Sequence, residues 1–383
     1  MKHFLIDATP YAADNLTGVG RILHELTGRL FDIDRENEYH IFGFAPEIWP
    51  PARLPANFAY RRIRRWTPLG PLAMEAARRA YVRLRTARVP TDLLYCPLDM
   101  TPVRNGRTRV VCTLHDVARL SPQFLSPTPP TIRASARTNL RYRLARQADM
   151  IHTVSEFSAE QIAARLRIDR AKIRVISPGA GPLFTPAAPD PAVLARYGAA
   201  VGRYFLFVGQ MGRQKNEEGL VNAFFTARQD NALAEDIKLF FVGDSSAMRD
   251  SMRQSLQSDA GRRRVRVLGR VGDADLLHLY RGAIAMTLPS FYEGFGLPVV
   301  EAMACGTPSI VADAGSLPEV SGGAGLVVAA GDQRALAEAL ARLAGDAELR
   351  ARLHANAVER AELFTFDRMT RRLHELFCEM TDG

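Results

Sequence analysis

The chain alternates short apolar runs with longer amphipathic stretches, and it does so twice over. In the first half the runs that read as strands are Phe4–Asp7, Tyr39–Gly43, Leu93–Cys96, Val110–Leu114, Met150–Val154 and Ile173–Ile176. The helical patterns between and after them are Gly20–Phe31, Pro71–Arg88, Ile132–Gln147 and Ser158–Leu166. The second half offers strands Tyr204–Val208, Lys238–Val242, Val265–Leu268, Ala283–Leu288, Ser309–Val311 and Gly325–Val328. Its helical patterns are Gly219–Arg228, Met248–Gln257, Ala274–Tyr280, Pro298–Cys305, Gln333–Ala344 and Ala347–Leu363. Continuous apolar strands alternating with amphipathic helices predict parallel sheets covered on both faces. Two such blocks predict an α/β protein of two Rossmann-like, doubly wound domains. The Pro- and Gly-rich stretch Ser177–Pro191 separates them, giving domains 1–180 and 181–364. A further amphipathic helix, within 365–383, follows the break at Phe364–Thr365. Ligands of doubly wound sheets bind beyond the carboxyl ends of the strands, so two such domains predict a site in a cleft where they face each other.

Charge is unevenly spread. Lys and Arg number 50 against 41 Asp and Glu, a net +9. Residues 1–190 carry 28 basic and 17 acidic residues, a net +11, and the remainder is slightly acidic. Arginines cluster around Trp66 in RRIRRW, along 78–88 and along 133–146. Such a half predicts an anionic surface as its partner. The stretch MKHFLIDATP has no apolar core of a secretory signal, and no apolar run is long enough to span a bilayer. The expected location is cytoplasmic, with the basic half peripheral on the inner membrane face. Cys96, Cys112, Cys305 and Cys378 are scattered, which predicts reduced core thiols and no metal site.

The stretch Ser290–Pro308, SFYEGFGLPVVEAMACGTP, begins where a strand ends. Glu293 and Glu301 lie eight apart, with Gly294, Phe295, Gly296 and Leu297 between them. Pro298 suits the first turn of a helix and Gly306 its end. The amides before Pro298 would form an anion site, and the glycines let backbone approach a ligand. Two carboxylates flanking a phosphate-binding turn suit a nucleotide sugar, one for the sugar and one for the ribose. The second element, FVGQMGRQKN, offers Arg213 and Lys215 as cations for a diphosphate whose charge grows as a glycosidic bond breaks. A third, TGVGR, places Gly18 and Gly20 at a strand–helix turn, and a fourth, TLHDV, places His115 and Asp116 at a strand end. Ser155, in TVSEFS, suits either a helix N-cap or a ligand-facing hydroxyl. Arg270 and Val271, in LGRVG, close a strand.

These segments resemble the retaining glycosyltransferases of family 4, which have the GT-B fold, and the likeness covers nearly the whole chain. The resemblance implies that Glu293 contacts the transferred sugar and Glu301 the ribose, with the amides of Gly294–Leu297 on the sugar and diphosphate. It assigns Lys215 to the family's Gly-x-x-x-x-(Arg)-Lys loop, where this chain has Gln210 and Gln214 and an arginine only at Arg213. It implies that Gly18 and Gly20 face the diphosphate and acceptor, that His115 contacts a sugar hydroxyl, and that Arg270 and Val271 hold the nucleobase by backbone groups. It also implies that the last helix crosses back onto the first domain, and that no metal or other cofactor is needed beside the nucleotide-sugar donor.

The function so implied is transfer of a hexose, mannose-type from a GDP donor, to a glycan or lipid-linked acceptor of a bacterial surface polysaccharide. Two other classes fit parts of the pattern. A nucleotide-sugar epimerase can share the fold, and a basic binding protein without catalysis would explain the charge. No helix-turn-helix, zinc or RNA-recognition signature points to nucleic acid.

Overall fold

The computed structural model describes residues 1–9, 18–44, 54–63, 70–97, 102–120, 140–246, 248–257 and 259–382. Arg64, Arg65, Trp66, Arg133 and Arg137 lie outside them, as does the first half, 132–139, of the predicted helix Ile132–Gln147. Among the described residues the chain forms two compact units. The first takes residues from 1–120, 140–178 and 366–382, and the second takes residues from 179–365.

The first unit is built on a seven-stranded, wholly parallel sheet in the order β3-β2-β1-β4-β5-β6-β7. Its strands are β1 (His3–Asp7), β2 (Glu38–Gly43), β3 (Phe58–Arg62), β4 (Leu93–Cys96), β5 (Arg109–Thr113), β6 (Met150–Thr153) and β7 (Ile173–Val175). All four residues of β4 are buried, as continuous apolar strands require when both faces are covered. The edge strand β3 was not among the predicted elements. It reads FAYRR, with only Phe58 buried, so it carries neither an apolar run nor a clean alternation.

One face of this sheet is closed by the helix Gly18–Ile33 and by the last helix, Phe366–Thr381. Phe4, Ile6, Leu23, Leu26 and Leu30 share a core with Phe366, Met369, Leu373, Leu376 and Phe377. The Phe377 ring meets Phe4 and Tyr95 at 5.8 and 5.0 Å between centroids. A polar latch accompanies this packing: the buried Asp34 carboxylate lies 2.7 Å from His374 Nε2 and accepts from the Tyr39 hydroxyl at 2.6 Å. Burial alone would raise the Asp34 pKa, but hydrogen bonds from Tyr39, Asn37 and two backbone amides outweigh it and hold it at about 2.

The other face carries the helix Gly70–Arg88, and here one expectation is corrected. Arg78, in the arginine run expected to meet an anionic surface, is not available to one; it is 1% exposed. Its guanidinium donates to Asp7 Oδ2 at 2.7 Å and forks onto Glu75 at 2.7 and 2.9 Å. A helical pattern shows which residues share a face but not that a buried carboxylate waits opposite one of them. Arg83 and Arg88 on the same helix, and Arg61 and Arg62 on β3, are exposed.

The second unit repeats the plan with six parallel strands in the order β10-β9-β8-β11-β12-β13. They are β8 (Tyr204–Val208), β9 (Lys238–Val242), β10 (Val265–Gly269), β11 (Ala285–Leu288), β12 (Ser309–Ala312) and β13 (Gly325–Val328). In each unit the order reverses between two adjacent strands, β1 and β4 in the first and β8 and β11 in the second. Such a switch point opens a crevice at the carboxyl ends. All four cysteines are free thiols; three are buried, and Cys378 is half-buried, not a core thiol. No helix among the described residues is long and apolar enough to cross a membrane.

Candidate active site

In the second unit the loops leaving β8 and β11 diverge from the switch point, and they carry the strongest sequence motifs. After β8 the chain makes a 3-10 turn at Arg213–Lys215, and Asn216 turns it with φ 54° into the helix Glu217–Gln229. After β11 it runs from Ser290 to Gly296, whose φ of 94° starts the helix Leu297–Ala304 with Pro298 in the first turn. The left-handed backbone favours glycine at 296, and a Cβ there would lie 2.9 Å from a methyl of Leu317. Pro298 has no amide and the Val299 amide bonds the Gly296 carbonyl at 2.9 Å, which leaves the Leu297 amide at the electropositive end of this helix.

The two loops are stitched together. Lys215 Nζ forms an ion pair with Glu293 Oε1, and Ser290 Oγ donates to the same oxygen at 2.8 Å. Oε2 makes no hydrogen bond or ion pair among the described residues. Glu293 is 7% exposed. Gln214 ties the backbones: its carbonyl accepts from the Phe291 amide at 2.8 Å and its Nε2 donates to the Tyr292 carbonyl at 2.9 Å. Glu301 sits eight residues on, 5% exposed, with Oε2 accepting from the Tyr280 hydroxyl at 3.0 Å. Both carboxylates are therefore buried and held by side chains of the same unit.

A third loop supports the first two from behind. The Ser316 amide and hydroxyl both donate to the Glu293 carbonyl at 3.1 Å. Gly315, at φ 63°, brings its backbone so close that a Cβ would lie 2.7 Å from Glu293 N. Arg213 is exposed and joins no ion pair among the described residues, so Lys215 alone reaches Glu293. Arg270 is exposed just beyond β10, 3.9 Å from Asp244, with Val271 half-buried beside it.

In the first unit the candidate residues also gather at strand ends. Gly18 and Gly20 lie in the first turn of the helix that follows β1, with Gly20 buried. His115 follows β5 by two residues and is half-buried. Asp116 accepts from the Ala118 amide at 2.9 Å, capping the turn Ala118–Leu120. Ser155 is fully buried and is the N-cap of the helix Glu156–Leu166, accepting from the Ser158 amide at 3.0 Å. Close to His115 lies His152, a residue not singled out in the sequence. Its Nε2–H donates to the Ile176 carbonyl at 2.9 Å, and Nδ1 lies 3.0 Å from the Thr113 hydroxyl, which meets Tyr95 at 2.9 Å. Burial lowers its pKa to about 4; the hydrogen bond to the Ile176 carbonyl opposes this, and the nearby His115 and Arg372 add smaller lowering effects.

The sequence motifs did not expose Ser290, Tyr280, Gly315, Ser316 or His152. Four act through side chains that hold another residue's atom, and Gly315 acts through an absence of side chain.

Comparisons with known proteins find relatives for both units. Residues 16–181 match the family model described as Glycosyltransferase Family 4, and residues 200–360 match Glycosyl transferases group 1. The O-antigen chain mannosyltransferase B of Escherichia coli is 29% identical over 320 residues, 81% of this chain and 82% of that protein. A D-inositol 3-phosphate glycosyltransferase of Salinispora arenicola is 31% identical over 222 residues, 54% of this chain, and the match spans about half (48%) of its length. The structure of Anabaena HepE in complex with UDP and glucose superposes with a TM-score of 0.73 over 99% of this chain and 100% of that one, at 18% identity.

Proposed function

Because the chain belongs to the glycosyltransferases of the GT-B fold, we propose that it is a retaining hexosyltransferase acting in surface polysaccharide synthesis. The observation that carries this reading is the Lys215–Glu293 pair at the switch point of the second unit, beside the helix start at Gly296. The donor is a nucleoside-diphosphate hexose, mannose-type on GDP, a choice supported by the likeness to an O-antigen mannosyltransferase.

In this reading Lys215 exchanges part of its ion pair for the donor diphosphate, joined by the amides of Gly294 to Leu297. Glu293, relieved of that partner, accepts from a sugar hydroxyl through Oε2. Glu301 accepts from the ribose, Arg270 and Val271 meet the base through their backbone, and Arg213 adds long-range positive charge. His115 contacts a hydroxyl of the transferred sugar, and Gly18 and Gly20 bring amides to the diphosphate and acceptor. The bond from the anomeric carbon to the diphosphate oxygen breaks, and the acceptor oxygen bonds to the same face. The acceptor proton passes to the departing diphosphate oxygen. Positioning and fixed positive charge are the protein's contribution, with no metal required in the step. The acceptor is a glycan or a lipid-linked glycan. The exposed arginines of the first unit dock on anionic lipid at the cytoplasmic membrane face, each contributing about 1 kcal/mol near the surface.

A thermal-shift screen over UDP-, GDP-, ADP- and dTDP-sugars identifies the donor, since a ligand of the folded state raises its melting temperature. Lys215→Ala and Glu293→Ala should then each abolish transfer while leaving the melting temperature of the unliganded protein within a few degrees. Near-normal turnover in both variants would overturn the site. Epimerised donor formed without acceptor would mark an isomerase instead. Equal flotation with neutral and anionic liposomes would remove the membrane part of the proposal.

A further inference from the structure

At the opposite, amino-terminal end of the first sheet, three metal-ligating side chains converge. His3 lies directly opposite Glu38 in the β1–β2 register, and His40 follows Glu38 by two. Side chains alternate along a strand, so Glu38 and His40 share a face, and His3 joins them from the neighbouring strand. The next residues on that face, Leu5 and Phe42, enter the core beneath the helix Gly70–Arg88 with Val82. The trio is therefore the polar margin of a packed, rigid face, not a set of loop side chains.

The distances suit a shared ion. His3 Nδ1 lies 3.0 Å from Glu38 Oε2, and His40 Nε2 lies 3.7 Å from the same oxygen. One donor atom from each residue falls within 4.8 Å of the other two. Tetrahedral zinc with bonds near 2.1 Å holds its ligand atoms about 3.4 Å apart. A second observation points the same way. Nδ1 of His3 is buried, yet it makes no hydrogen bond despite its closeness to Glu38. Two ligand atoms aimed at a common third point have that relationship, and a buried polar atom left unsatisfied carries a desolvation cost. Arg85 stands near enough to influence His40 electrostatically, and it opposes a dication there; the Glu38 carboxylate opposes that repulsion.

We propose that His3, Glu38 and His40 form a binding site for a zinc-class divalent transition cation, with water completing the coordination. Two imidazoles and one carboxylate suit zinc and disfavour magnesium, which prefers oxygen alone. The site ties β1 to β2 and lies at the end of the sheet away from the strand ends that carry Gly18 and His115. Its role is to brace the first unit, separate from group transfer.

The test is zinc titration of the full chain, cleared with EDTA, by calorimetry and by competition with a chromophoric chelator. One saturable equivalent is expected, with magnesium failing to compete. His40→Ala and the milder His40→Gln should each weaken zinc by about tenfold or more, since disturbing even the partners of metal ligands costs 10–100-fold. Zinc should raise the melting temperature of the parent and not of either variant, while all three melt alike in EDTA. Cobalt substituted into the parent should give the intense visible bands of a tetrahedral site, a readout that needs no variant. Absence of saturable zinc binding, or one equivalent that both His40 variants retain unchanged, would overturn the proposal.

Discussion

The hydroxyl of Tyr280 donates to Oε2 of Glu301 at 3.0 Å, both residues buried, so a carboxylate assigned to the donor ribose has its orientation set by a different helix. Tyr280→Phe deletes only that donor. A hydrogen bond to a charged group contributes about 1.5–3 kcal/mol. Loss of Glu301 orientation should therefore raise KM for the nucleotide sugar by about tenfold with little change in kcat. Steady-state kinetics on the cognate donor decide it; an unchanged KM would detach Tyr280 from donor binding.

Gly315 is expected to be intolerant of any side chain. Its φ of 63° and the closeness of its missing Cβ to Glu293 N combine backbone strain with a collision against atoms that cannot yield. Gly315→Ala should cost about 2 kcal/mol of stability and a larger share of activity, because relief of the clash must move Glu293. Denaturant unfolding and turnover measured on the same preparation test both halves.

His152 should make stability fall in mild acid. Its folded pKa is about 4, below the ordinary imidazole value near 6.5. Above pH 6.5 both folded and unfolded forms hold it neutral and no penalty arises. As pH falls towards 4 the unfolded chain takes up a proton that the folded protein refuses, so stability is lost across that window, by roughly 3 kcal/mol at most. His152→Asn should flatten the dependence between pH 6.5 and 4 in urea-unfolding measurements. A slope equal to that of the parent would mean that other groups dominate.

The Asp7–Arg78 pair offers a test of buried charge. Arg78→Met leaves Asp7 buried with its Thr9 contacts only, and should cost about 3–5 kcal/mol. Adding Asp7→Leu should restore much of that loss, since removing both charges is milder than orphaning one. Purely additive losses in the double variant would show that the pair is not coupled.

Much of the architecture was readable because buried parallel strands write themselves as unbroken apolar runs, as YFLFV does at 204–208. The strand β3 escaped because an edge strand with exposed Arg61 and Arg62 has no such pattern. Likewise the Glu293–Glu301 spacing was legible, being a local property of one loop and helix. Ser316 and Gly315 were not, because their partner is the backbone of a residue more than twenty positions earlier. His152 was hidden for a related reason: a neutral histidine inside a sheet declares itself only through Thr113 and the Ile176 carbonyl. Gln214 stands where an arginine would serve a ligand, yet it spends its side chain on Tyr292. A residue that departs from a motif can still be fixed in place by the loop's own architecture.

The last helix has a consequence for the order of synthesis. Phe4 and Tyr95 leave the ribosome early, yet the ring that packs against both, Phe377, is made only after the entire second unit. During elongation the first sheet must wait with one face incompletely covered. Its partly assembled form is thus a natural client for chaperones, and a ribosome stalled anywhere between 179 and 365 would carry a domain begun first and not yet closed.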